Sequence, residues 1–86
     1  MNEFRWNEWN LEHATGHGVL PREAEHVVDN PSRGWPRRVA NKKVMVQGRG
    51  DGGRMIQVVY LVDDDGTLFI IHAMPLTTRR RRGRRR

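Results

Sequence analysis

Four histidines, at positions 13, 17, 26 and 72, are the side chains of this chain whose ordinary titration lies near neutral pH. Two imidazoles can divide proton transfer between them, one taking a proton from an attacking oxygen while the other gives one to a departing oxygen. That is the work needed to cleave a phosphodiester without a metal. Cations must then offset the charge that grows on the phosphoryl oxygens. Arg49 and Arg54 bracket the turn Gly50-Asp51-Gly52-Gly53, where backbone N–H groups of the glycines would help them hold a phosphate; the same residues also suit a plain hairpin. Trp35, among Arg37, Arg38, Lys42 and Lys43, has the composition of a site that stacks a splayed base beside its phosphates, or of a solvated loop with one packed Trp.

The histidines differ in setting. His26 lies beside Val27 and Val28 and reads as structural. His13 and His17 have the i, i+4 spacing of a two-His metal site, but no third ligand accompanies them and Gly16 interrupts the helix between them. No metal or other cofactor is expected. His17 is either a group that closes a helix end or a proton-transfer group. His72 is the one titratable side chain in an apolar run, sharing a face with Leu68, Ile70 and Met74 by simple alternation, and is either a core histidine or the partner acid or base.

The elements that must position these residues follow from periodicity. Asn7 to Ala14 is expected as a first helix, with Trp6 and Trp9 as core anchors and Gly16 as a left-handed C-cap. Pro21 suits the first position of a second helix, whose apolar side is Ala24, Val27 and Val28 and which Asp29-Asn30-Pro31 ends. Pro31 to Lys43 reads as an exposed loop. Three strands are expected at Val44 to Arg49, Arg54 to Val62 and Thr67 to Met74, joined by Gly50-Asp51-Gly52-Gly53 and Asp63-Asp64-Asp65-Gly66. The order predicts an α+β fold: two N-terminal helices packed on one face of an antiparallel β-meander of at least three strands. Val58 to Val62 and Leu68 to Ile71 are apolar on both faces, so the second face either meets another chain or belongs to fully buried strands.

Composition bounds the rest. The chain has 86 residues, a single small domain's worth, and no cysteine for disulfides or thiolate chemistry. Its net charge of +6 is unevenly spread, because residues 79–86 alone hold seven Arg. Residues 1–78 form the expected domain and carry nine basic against ten acidic side chains. Within them a basic stretch, residues 33–57, is flanked by acidic ones. The Arg-rich C-terminal tail, 79–86, is expected to bind phosphate backbones without sequence preference, with Arg79, Arg80, Arg81 and Arg82 nearest the domain. No apolar run approaches the length of a membrane span and the N-terminus lacks the pattern of a signal peptide, so a cytoplasmic location is expected.

Phe4-x-Trp6-Asn7 opening a helix, Asn10, His13, then His17-Gly18-Val19 leading into Glu23-Ala24, resembles the N-terminal signature of the BrnT toxins of bacterial type II toxin–antitoxin systems. Gly48-Arg49, Gly53-Arg54, and Ile71-x-Ala73 followed by Thr77 and a basic end fall in that family's order, so the resemblance spans essentially the whole chain. It implies a RelE-like fold and a metal-independent endoribonuclease that inhibits translation. The implied partners are RNA and a DNA-binding antitoxin, BrnA-like, with a ribbon-helix-helix or related domain; a second copy of the chain is the other candidate for the apolar face. The chain departs from the family at Met74, where Arg is usual, and at Arg80, where Glu is usual.

Overall fold

The computed structural model describes residues 2–76, which form two helices and a five-stranded mixed sheet. Strand β1 is Phe4–Arg5, followed by helix α1, Glu8–Thr15, and helix α2, Pro21–Asp29. Strands β2, Arg37–Ala40, β3, Lys43–Arg49, β4, Met55–Val62, and β5, Leu68–Pro75, complete the chain order. In the sheet the order is β1-β5-β4-β3-β2. Neighbours from β2 to β5 pair antiparallel, whereas β1 pairs parallel with β5, with Phe4 opposite Leu68. No helix among the described residues is long and apolar enough to cross a membrane.

Local chemistry accounts for the helix ends. The Asn7 side chain accepts from the Asn10 N–H at 3.1 Å while Asn10 Oδ1 accepts from the Asn7 N–H at 2.6 Å, a reciprocal cap built from two asparagines. Pro21 starts α2 where its absent N–H would have no partner. Gly16 keeps a right-handed conformation, contrary to the left-handed cap expected of it. Gly18, at φ +83°, makes the reversal into Val19 instead.

One core holds the layers together: Val46, Ile56, Val58, Tyr60, Leu68, Ile70 and Ala73 of the sheet meet Ala14 of α1 and Ala24, Val27 and Val28 of α2. Cross-strand register puts Val44, Val46 and Gly48 opposite Tyr60, Val58 and Ile56 on this inner face. Gly48 is needed there. A Cβ would lie 3.0 Å from the Asn30 carbonyl oxygen, so a side chain would push the α2 end off the sheet.

Both helices contribute to this one core, Ala14 from α1 and Ala24, Val27 and Val28 from α2, with α2 against β3 and β4 and α1 against β5. Asn10, fully buried, fixes α1 to β5: its Nδ2 donates to the carbonyls of Arg5, 3.0 Å, and Ile70, 2.9 Å, completing the β5 edge where a longer β1 would have done so. Trp6 packs against the core, but Trp9 is 49% exposed and is not the anchor expected. The segment expected as a loop, Pro31 to Lys43, contains β2, all four residues of which are exposed.

Candidate functional site

The bulge in β5 decides which face His72 joins. Tyr60 pairs with Ile70 and Val59 with His72, so Ile71 is an extra residue and the alternation shifts by one. His72 therefore leaves the face of Leu68 and Ile70, where simple alternation had put it, and stands with Met74 on the outer face. Ala73, fully buried, turns inward in its place.

On that side His72 meets His17. The rings lie 5.8 Å apart between centroids at 69°, edge to face, which brings together two sequence-selected residues 55 positions apart. His17 is exposed in the α1–α2 connection, and His72 is half-buried. Burial holds the His72 imidazole below its ordinary range and the neighbouring charge of His17 pushes the same way, both favouring its neutral form. Two imidazoles this close on one open surface have the arrangement that proton transfer divided between two histidines needs.

Arg54 is held elsewhere. Its Nε and Nη2 each donate to a Glu23 carboxylate oxygen at 2.9 Å, and Nη2 also donates to the Gly18 carbonyl at 2.7 Å. Glu23 is buried, and the Arg54 guanidinium holds its carboxyl below the usual carboxylate range. Arg54 thus fixes the backbone next to His17 and has its charge matched. Arg49 projects from the other side of the same hairpin, Nη1 donating to the Gly53 carbonyl at 2.8 Å. The turn N–H groups expected to cradle a phosphate are used internally, Gly50 donating to the Arg54 carbonyl and Gly53 to the Gly50 carbonyl, each at 2.9 Å.

The second basic group is spread along the opposite edge. Trp35 packs against the core with the Arg37 guanidinium 4.7 Å over its ring, so that stacking partner is already supplied from within the chain. Arg37 Nε also donates to the Gly34 carbonyl at 3.0 Å. Lys42 adopts φ +62° and pairs with Asp64. Arg38 on β2 and Lys43 at the start of β3 are exposed. Arg79, Arg80, Arg81 and Arg82 lie outside the described residues.

His13 stacks on Trp9 with centroids 3.9 Å apart, and its Nδ1 lies 2.7 Å from the Trp9 carbonyl oxygen. Trp9 in turn stacks on Phe69, over which Arg5 sits at 4.1 Å. Among the described residues no group of three or more His, Cys, Asp or Glu is placed to hold a metal ion.

Sequence reasoning did not single out Glu23 or the clamp made by Asn10. Glu23 reads as a first-turn acid favoured by the helix dipole, and only the Gly50 contact, where a Cβ would lie 2.7 Å from Glu23 Cγ, reveals how tightly the hairpin closes over it. No family model matches the chain, and neither the curated proteins nor the solved structures include a match to it. Fold and site together define a small α+β protein in which an exposed and a half-buried histidine meet beside an apolar sheet face.

Proposed function

We propose that this chain is a toxin of the BrnT kind, with a RelE-like arrangement of helices on an antiparallel meander, which cleaves RNA without a metal and so inhibits translation. The observation that carries the reading is the approach of His17 and His72 on an open surface. In the reaction the 2′-hydroxyl oxygen attacks the adjacent phosphorus and loses its proton to neutral His72. The P–O5′ bond breaks as His17 protonates the leaving oxygen, giving a 2′,3′-cyclic phosphate and a free 5′-hydroxyl. Arg54 is a positioning residue for His17 through the Gly18 carbonyl. Arg37, Arg38, Lys43, Arg49 and the C-terminal arginines hold the RNA backbone. The toxin acts in the cytoplasm and is neutralised by a DNA-binding antitoxin of the BrnA-like kind.

The test is incubation of the purified chain with RNA in EDTA, followed by analysis of the product ends. Cyclic phosphate termini are expected, with His72→Gln or His17→Ala lowering the rate by roughly 10²-fold or more at saturating RNA. Cleavage that needs added Mg²⁺, or that survives the double substitution, refutes the mechanism. Two observations favour a second reading, a binding module without catalysis: Arg54 is matched by Glu23, and Met74 stands where the resembled family has Arg. Inactivity both with and without metal, with RNA binding retained, is the outcome of that reading.

A further inference from the structure

Helix α1 carries an aromatic arrangement that the proposed chemistry does not use. Trp9 and His13, neighbours on successive turns, lie ring on ring with centroids 3.9 Å apart and planes 17° from parallel. Phe69 of β5 continues the series, 6.0 Å from Trp9 and at 21° to it, with the Arg5 guanidinium 4.1 Å over the Phe69 ring. Yet Trp9 is 49% exposed, and His13 is exposed as well. These two are not core side chains. Asn10 and Ala14 are the buried residues of α1, and at about 100° per residue Glu8 and Glu12 fall on the opposite side of the helix from them. No carboxylate of α1 therefore shares the stripe of Trp9 and His13.

We propose that the outward face of the His13 ring is a stacking platform for one nucleobase of a single-stranded RNA, the base next to the phosphodiester that His17 and His72 attack. Only the base's place beside the cleaved bond rests on the ribonuclease reading. A planar ring that stacks by one face presents the other, and among the described residues Trp9 alone stacks on His13. Base–aromatic stacking needs such a face and accepts any base, since every base has one to offer. The platform is also preset. His13 Nδ1 lies 2.7 Å from the Trp9 carbonyl oxygen, which can only accept, so Nδ1 donates. That bond and the indole together fix a side chain that would otherwise lose rotamer freedom when a base arrived. Two spacings set it beside the histidine pair. Gly16 keeps the right-handed path, so the chain advances about 5.4 Å, one helical turn, from His13 to His17. Phe69 pairs with Leu61 and His72 with Val59, two residues apart on β4, or about 7 Å. Each is close to the length of one nucleotide in an extended strand, so a phosphate at His17 and His72 leaves its neighbouring base within reach of His13.

The probes are two short strands of equal length that cannot be cleaved through a 2′-oxygen: 2′-O-methyl oligoadenylate, and a strand of abasic tetrahydrofuran nucleotides. The full chain carries ¹³C-labelled histidine, and the His13 ring signal is the one lost in His13→Ala. Oligoadenylate is expected to move that signal upfield, as a base on the ring face does, and to bind roughly tenfold more tightly than the abasic strand, which leaves the signal in place. His13→Ala should bring the two affinities together while leaving that of the abasic strand unchanged, a result that misfolding would not produce. His13→Tyr, which restores a ring, should bring the preference back. Equal binding of the two strands, a preference that survives His13→Ala, or one that His13→Tyr does not recover overturns the proposal. A His13 signal moved equally by both strands makes the contact one with phosphates and overturns it too. Because the readout is binding, a protein that passes without cutting RNA keeps the platform while the ribonuclease reading fails; one that cuts RNA with no base-dependent shift at His13 does the reverse.

Discussion

Replacing Asn10 tests the argument that one buried amide stands in for a missing length of strand. Its side chain donates to the Arg5 and Ile70 carbonyls at 3.0 and 2.9 Å and accepts from the Asn7 N–H at 2.6 Å, while the residue is wholly inaccessible to solvent. Asn10→Ala removes all three bonds at once. The Ile70 carbonyl is then buried without a partner, at a cost of about 1–3 kcal/mol, and the other two bonds contribute roughly 0.5–1.5 kcal/mol each. Asn10→Ala should therefore lose roughly 2–6 kcal/mol, which lowers Tm by about 10–45 °C in a domain of this size. Urea titration and calorimetry read both quantities. Asn7→Ala, which removes only the cap, should lose about 1 kcal/mol. Asn10→Asp adds a sign test. A carboxylate at that position faces two carbonyl oxygens, which raises the folded-state pKa of the introduced group above its unfolded value. The variant is thus most destabilised at neutral pH and regains stability as pH falls through that raised value. If Asn10→Ala changes stability by less than about 1 kcal/mol, or if Asn10→Asp shows no gain on acidification, the clamp is not what closes the β5 edge.

Three further outcomes follow from the geometry. Gly50→Ala puts a Cβ 2.7 Å from Glu23 Cγ and 2.8 Å from Ile56 Cδ1, so it should cost about 1–3 kcal/mol, whereas Gly52→Ala meets nothing within 4 Å and should stay within about 0.5 kcal/mol by the same denaturant titration. Glu23 titrates below its unfolded value because of Arg54; its stabilisation is present above about pH 4.3 and is lost as pH falls through the folded-state value, so Glu23→Gln should flatten the acid limb of a stability–pH curve. His72 titrates below its unfolded value of about 6.5, so the unfolded chain binds the extra proton; stability should fall as pH drops below that value, and His72→Gln should remove part of the fall, as seen by thermal melts between neutral and mildly acidic pH.

Elements with strong local signals were readable in the sequence. Pro21 and the Asp29-Asn30-Pro31 stop bracket α2, and the glycine and aspartate turns separate three strands whose ends lie within one residue of those expected. β1 and β2 had no such signal. β1 is two residues long and exists because Phe4 and Arg5 find the β5 edge. β2 is fully exposed and rich in Arg, so no alternation of apolar and polar residues marks it, and only its pairing with β3 makes it a strand. Gly16 and Gly18 are equally able to reverse the chain, and the choice falls on Gly18 because Arg54 holds its carbonyl, a contact 36 residues away in sequence.

The candidate site shows the same division between residue type and placement. His17 and His72 were identifiable as proton-transfer groups by type, but their meeting depends on the Ile71 bulge, which no local pattern announces. Without it His72 would point into the core beside Ile70 and Ala73 would point out. The bulge is favoured by what each arrangement buries: with the extra residue the small Ala73 fills the inner position at 0% exposure, and the polar imidazole stays half-buried at the surface. Arg54 shows the converse. Its position beside a glycine turn suggested a free cation for phosphate, yet the nearest anion is the chain's own buried Glu23, and a buried carboxylate binds its guanidinium before any exposed ligand can. Charge in this chain is therefore not equivalent to available charge. Among the described residues Lys43 and Arg49, at the two ends of β3, pair with no carboxylate, so the charge left for an external anion lies on them and not on Arg54.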